Sequence, residues 1–529
     1  MTNDRKTPPL VIFALDGGDA GFIERWTREG YLPTIASITE RGCRGRIVGP
    51  ELMSTQGAWL SVFSGVSRRE HGYYFNRQLV PGTYMLKSIT SRDVDAKPFW
   101  SQLQGGSKKV ALIDALETEP LPNLPGLQLA NWAVQQQYNN SPLLPSAEPA
   151  SLLNEIDRLV GSPLYMDVFK PGSTFRDDVD AYRLLLKRIE AKGTLCRRLL
   201  AHEGFDLTII SFVEAHTAAH RLWDYRPGGT RHAEAVSKDC DLHTAIRDVY
   251  QAIDGELGLL LKQLPEELNV FVISLFGMKD LYPTSGLIEA FCRRLGYQVP
   301  VQGAVRSPNA LTWLRRMIKP DMRAHLSRLL PQTVRKWLEA DRFQAETNWA
   351  KTKAFSIPAL NTSFVRVNLR GREPQGIVEP GSEYEGLLSQ IEADLKELVD
   401  VRSGEPAIER VIRTTDAFGC GPHLLLPDLA VEWKSTPYFM DRVKHPRAEL
   451  VQAKPYYNRS SYHTMAGFMA AAGPSVLADA DIGEVSPLDF APAFLSLLGE
   501  PVSQKNSECL LNHLVSPPIM KTLSKKAAS

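Results

Sequence analysis

Residues 206–220 read DLTIISFVEAHTAAH. From Leu207 to Val213 the run is mostly apolar and β-branched, with no regular alternation of polar and apolar positions. Such a run suits a strand covered on both faces rather than one with a wet side. It then gives way to Glu214, His216 and His220. Two imidazoles four residues apart at the end of a buried strand leave two readings open. They are ordinary polar residues, one capping the next helix and one hydrogen-bonded in the core, or they complete a metal site.

Similar runs recur along the chain: LVIFAL at 10–15, KVALIDA at 109–115, LNVFVISLF at 268–276 and GFMAAAG at 467–473. Helical patterns alternate with them, which predicts an α/β fold with a mostly parallel central sheet and helices on both faces. In such sheets ligands sit at the carboxyl ends of the strands. Three strand ends carry groups able to bind a metal or substrate: Asp16-Gly17-Gly18, then Glu214 with His216 and His220, and later His463 in RSSYHTMAG. A fourth end, VFVISLFGMKD, leaves its strand through Leu275 and Phe276.

Composition narrows the class. The chain has 529 residues, 43% of them hydrophobic, with 61 Lys and Arg against 60 Asp and Glu. So balanced a charge gives no global pull toward nucleic acid or an anionic membrane. The N-terminal apolar run is too short for a secretory segment, and no stretch approaches the roughly 18 apolar residues of a membrane span. A soluble, cytoplasmic protein acting on a small molecule is expected. Six scattered cysteines without a CxxC pair suit free thiols.

From Leu311 to Leu338 seven Lys or Arg (Arg315, Arg316, Lys319, Arg323, Arg328, Arg335, Lys336) face one acid, Asp321. Residues 285–345 therefore read as a helical basic cap insertion, its charge either a solvated face or a landing surface for an acidic carrier or anionic substrate. Residues 1–284 and 346–513 would form the main domain and 514–529 a tail.

Taken in order, several segments resemble the alkaline phosphatase superfamily, in particular its type I phosphodiesterase and nucleotide pyrophosphatase branch. VIFALDGGDAGFIERWTREGYLPTIASITERG matches that family's strand, metal-binding Asp-Gly and following helix. STQGAWLSVFSGVSRREHGYY matches its nucleophile helix, and DLTIISFVEAHTAAHRLW its "D...H" metal segment. VNLRGREPQGIVEP, LPDLAVEW and YHTMAGFMAAAGP match later segments. The resemblance implies an alkaline phosphatase-like fold and a pocket of two metal ions, commonly zinc, sharing a phosphate. It makes Asp16 the first metal-binding carboxylate and Thr55 the nucleophile, and His220 and His463 keep their places.

Three positions depart from the pattern. His216 stands where the family has an aspartate, and Leu275 and Phe276 replace the Asp-His pair of the second metal site. That site would keep only Asp16 and Thr55 and is expected to be empty. The first becomes His216, His220 and His463, three neutral nitrogens suited to one divalent ion, zinc first, with iron, nickel or copper as alternatives. Glu214, two residues before His216, would share its side of the strand as an orienting partner or further ligand. Thr55 is then a nucleophile with Asp16 as base, a group that only positions substrate, or merely a helix cap. His71, Gly72 and Asp254 read as structural, and His423 as a candidate for orienting a ligand. The expected function is a metal-dependent hydrolase of the phosphodiesterase kind. The alternatives are the same scaffold turned to non-phosphoryl hydrolysis or group transfer, and a binding protein without catalysis.

Overall fold

The computed structural model describes residues 7–133, 144–161, 174–201, 204–236, 240–301, 343–359, 362–454 and 460–502, and the backbone alone of 137–138 and 141–142. The basic segment from Leu311 to Leu338 and the tail 514–529 lie outside the described residues.

Nine strands form the central sheet: β1 (Leu10–Leu15), β2 (Cys43–Ile47), β3 (Val110–Ile113), β4 (Gly126–Ala130), β5 (Ser146–Glu148), β6 (Leu207–Phe212), β7 (Asn269–Ser274), β8 (Gly467–Ala472) and β9 (Ala480–Val485). Their order is β9-β2-β8-β7-β1-β6-β3-β4-β5. From β7 through β1, β6 and β3 to β4 every neighbour is parallel, while β8 runs antiparallel to both β7 and β2.

All six residues of β1 are buried, and they divide between two apolar clusters. Val11, Phe13 and Leu15 pack into one, Leu10, Ile12 and Ala14 into the other. That division follows from the two-residue period of a strand, and it shows both faces of the sheet covered. The first cluster takes in side chains of α1 (Ala20–Arg28), α2 (Pro33–Arg41), α4 (Phe175–Leu200), α5 (Glu214–Arg221) and α6 (Ala245–Leu261). The second takes in α3 (Ala58–Ser64) and α7 (Phe490–Leu497).

Local chemistry fixes the helix ends. The Asp19 carboxylate accepts from the Phe22 N–H to start α1, and Thr174 with Asp177 forms a reciprocal capping box at α4. Asp254, on α6, accepts the Thr34 and Ile35 N–H groups at the start of α2. The structural reading of Asp254 thus has a concrete basis.

The antiparallel course of β8 decides how the site is assembled. Asp16 follows the end of β1 and His216 the end of β6, both at the carboxyl edge of the parallel strands. His463 precedes β8, and a strand running the other way enters the sheet at that same edge.

By its contacts the chain divides into two units, and the boundaries differ from those expected. One holds residues up to Tyr74, Thr90–Lys279 and those from Ser460 on; the other holds Phe75–Ile89 and Asp280–Arg459. Residues 346–459 therefore do not rejoin the first unit. Ala354–Ile357, Ser363–Val367, Leu429–Trp433 and Ile408–Arg413 build their own antiparallel sheet. The segments NLRGREP and LPDLAVEW meet in this unit. Arg372 donates to both oxygens of Asp428, and Arg366 donates to Glu373, so both segments are held by buried ion pairs. His423 Nδ1 accepts from the Leu425 and Leu426 N–H groups, a turn role rather than a ligand-orienting one.

Candidate metal centre

The sequence places Gly17 after Asp16, and the geometry requires it. Gly17 has φ of +65°, and a Cβ there would lie 2.7 Å from the Cβ of His216. The close approach of the β1 end to α5 lets the Asp16 carboxylate reach the His216 ring: Nδ1 to Oδ2 is 2.5 Å. Asp16 Oδ1 accepts from Trp59 Nε1 at 3.1 Å, on α3. Burial alone would raise the Asp16 pKa. The charge and hydrogen bond of His216, with the Trp59 bond, outweigh it and hold the carboxyl below its ordinary value.

Glu214 opens α5 rather than ending the strand, so the two-residue period does not apply to it. Residues two apart on a helix diverge, whereas His216 and His220, four apart, share a face. Glu214 is fully buried against Arg188, 3.2 Å away, whose Nη2 also donates to the Ala133 carbonyl. It is not among the residues whose ligand atoms converge, and the orienting contact expected of it is made by Asp16.

His216, His220 and His463 do converge, their ligand nitrogens all within 4.8 Å of one another. Ring centroids are 4.7, 4.6 and 5.0 Å apart for the pairs 216–220, 216–463 and 220–463. Tautomers follow from the outer contacts. With Nδ1 of His216 donating to Asp16, its Nε2 keeps the lone pair. Ser461 spends its proton on the Ala219 carbonyl (2.9 Å), so its Oγ accepts from His220 Nδ1 (3.3 Å) and His220 Nε2 also keeps a lone pair.

That Nε2 lies 3.3 Å from Nε2 of His463. Two nitrogens sharing a tetrahedral zinc at about 2.0–2.1 Å stand about 3.4 Å apart, so the donor set fits such an ion.

Leu275 and Phe276 are buried to 0% and 1% exposure in the apolar cluster that holds Ile273 and Met469, and the Phe276 ring lies 5.7 Å from His463. The second group of three potential ligands among the described residues is Asp394, Glu397 and His445. There His445 Nδ1 accepts the Arg447 N–H, which leaves Nε2 protonated and facing Glu397 at 3.2 Å. That arrangement leaves no lone pair on Nε2 for an ion.

Thr55 lies three residues ahead of α3, half-buried; among the described residues its hydroxyl makes no hydrogen bond, and the helix start is left to other groups. His71 is structural, as expected: its Nε2 meets Ser61 Oγ at 2.9 Å and its Nδ1 accepts the Tyr73 N–H. Trp59, Ser461 and Glu117, which bonds the start of α3, were missed in the sequence, where no spacing ties them to the histidines.

Residues 10–403 match the type I phosphodiesterase / nucleotide pyrophosphatase family, and the chain belongs to it. It is therefore a hydrolase by family, within the alkaline phosphatase superfamily. No curated protein sequence matches it. Human ectonucleotide pyrophosphatase / phosphodiesterase 5 is similar in structure at 12% identity and a TM-score of 0.45, over 96% of this chain and 100% of that one. Phosphonoacetate hydrolase from Sinorhizobium meliloti 1021, solved with phosphonoformate, is similar at 14% identity and a TM-score of 0.48, over 93% and 96%. No helix among the described residues is long and apolar enough to cross a membrane.

Proposed function

We propose that the chain is a phosphodiester hydrolase working with a single divalent ion, zinc in the first instance, held by His216, His220 and His463. The observation that supports this reading is the convergence of three imidazoles whose outer contacts leave Nε2 lone pairs on His216 and His220. Leu275 and Phe276, buried in apolar contacts, supply no second set of ligands. When bound, such an ion polarises a phosphoryl oxygen and lowers the pKa of water.

The chain's own groups divide the remaining work. Asp16 fixes the His216 ring. Both its oxygens are engaged, one by Trp59 and one by His216, so it serves to position rather than to act as a base toward Thr55. The half-buried hydroxyl of Thr55 is available to hold the substrate phosphate, or to attack its phosphorus while the ester oxygen leaves and takes up the hydroxyl proton. Phe276 beside His463 keeps that side of the site dry.

Metal analysis of the purified protein, together with turnover of bis-p-nitrophenyl phosphate, tests the reading. About one equivalent of metal is expected, with both metal and turnover lost in His220→Ala. Two equivalents, or full turnover in His220→Ala, would overturn it. The apolar wall of Leu275 and Phe276 favours a second reading, hydrolysis of a less anionic, non-phosphoryl substrate. One equivalent of metal without turnover of any phosphate ester would select it.

A further inference from the structure

Glu117 lies four residues beyond β3, at the sheet edge where Asp16 and His216 also stand. The loop that carries it is bent through two non-glycine residues with positive φ, Asp114 at 55° and Glu117 itself at 58°. Such conformations cost about 1–3 kcal/mol each and persist where surrounding contacts impose them. Here Glu117 Oε1 accepts the Gly57 N–H at 2.7 Å and Oε2 accepts the Leu60 N–H at 3.0 Å. Between those two donors, Trp59 bonds Asp16. A single turn of chain just past Thr55 thus holds two carboxylates, one from the β1 end and one from the β3 end.

Burial raises the Glu117 pKa to about 7. The two backbone bonds and the Arg68 charge pull it down, and the negative charge of Asp16 pushes it up. The buried Tyr73 phenol also feels this carboxylate. Arg68 gives its guanidinium hydrogen bonds to the carbonyls of Glu51, Ser54, Gln56 and Tyr73.

We propose that Glu117 is a specificity-determining residue that sets the charge of the accepted substrate, admitting singly charged or neutral esters and opposing doubly charged phosphomonoesters. This rests on the three-imidazole reading of the site beside Thr55. The Gly57 and Leu60 N–H groups, two and five residues past Thr55, are taken by the Glu117 carboxylate. Leu275 and Phe276 offer no second cation to offset a further negative charge. A dianion would face Asp16 and Glu117 together, a monoanion half that repulsion.

The test compares kcat/KM for bis-p-nitrophenyl phosphate and p-nitrophenyl phosphate in wild type and Glu117→Gln, with metal content measured in both. The expected result is equal metal content and a diester-to-monoester preference that falls on the order of tenfold in Glu117→Gln. An unchanged ratio in a folded, metal-loaded variant would overturn the proposal. If Glu117→Gln does not fold, the wild-type ratio measured from about pH 6 to 8.5 decides, since aryl monoesters are dianionic over most of that range. It should rise through about pH 7, and a flat ratio overturns the proposal. If neither ester turns over, calorimetric affinity for inorganic phosphate carries the comparison: tighter binding by Glu117→Gln supports the proposal, equal binding overturns it. A metal-free wild type would count against the three-imidazole reading alone.

Discussion

Asp16 and His216 stand 200 residues apart in the chain, and their side chains meet at 2.5 Å. The contact sets the tautomer of one imidazole in the cluster, so the carboxylate acts through the ring it holds. Asp16→Asn keeps the shape and loses the charge. Metal affinity should fall about 10- to 100-fold, read by competition with a chromogenic chelator, while the melting temperature of the metal-free protein changes little.

Glu214 pairs with Arg188 where neither is more than 6% exposed. Removing one partner of such a pair strands the other charge, so Glu214→Ala should lose about 3–5 kcal/mol in urea unfolding. The double variant Arg188→Met with Glu214→Leu should recover much of that. Metal content of the folded double variant should equal wild type. A loss of bound metal there would return Glu214 to the ligand set.

Phe276 is buried with its ring 5.7 Å from that of His463. Phe276→Ala should destabilise the protein by about 3–5 kcal/mol, the usual loss for a buried aromatic. Metal stoichiometry should stay at one equivalent, because the cavity brings no new donor atom. Plasma mass spectrometry beside thermal unfolding checks both.

His71 gives the pH prediction. Burial, with the Arg68 charge, pushes its pKa down from 6.5 to about 3. The unfolded chain therefore binds that proton more readily than the folded one. Stability due to the neutral ring is present above about pH 6.5 and declines as pH falls toward 3. From pH 6.5 to 5 the loss should be about 2 kcal/mol, measured as a shift in urea midpoint, and His71→Gln should flatten it.

Much of this was legible in the sequence, and the failures have physical causes. The doubly apolar runs gave the parallel core, because a strand covered on both faces has no polar alternation to hide. His216 and His220 were legible as a pair through their helical spacing, and His463 through the order of segments. Glu214 was misplaced because the strand-to-helix transition falls between Val213 and Glu214, which the two-residue period cannot register. Glu117 was invisible. Its position depends on a backbone bent into the left-handed region at a residue type that rarely adopts it. The domain boundary was drawn from the change of composition near residue 285, yet it is set by which strands pair with which, a property of distant contacts.

The placement of β8 also bears on how the chain reaches its native state. β2, made of residues 43–47, pairs with β8, residues 467–472, and with β9, residues 480–485, and β8 links it to β7. During synthesis an early strand must therefore wait more than four hundred residues for the neighbour that joins it to β7, and the same late segment delivers the last imidazole. The segment that closes the sheet against β7 is thus also the one that follows directly on the last imidazole, and a chain still lacking it has that edge of β7 without its native partner.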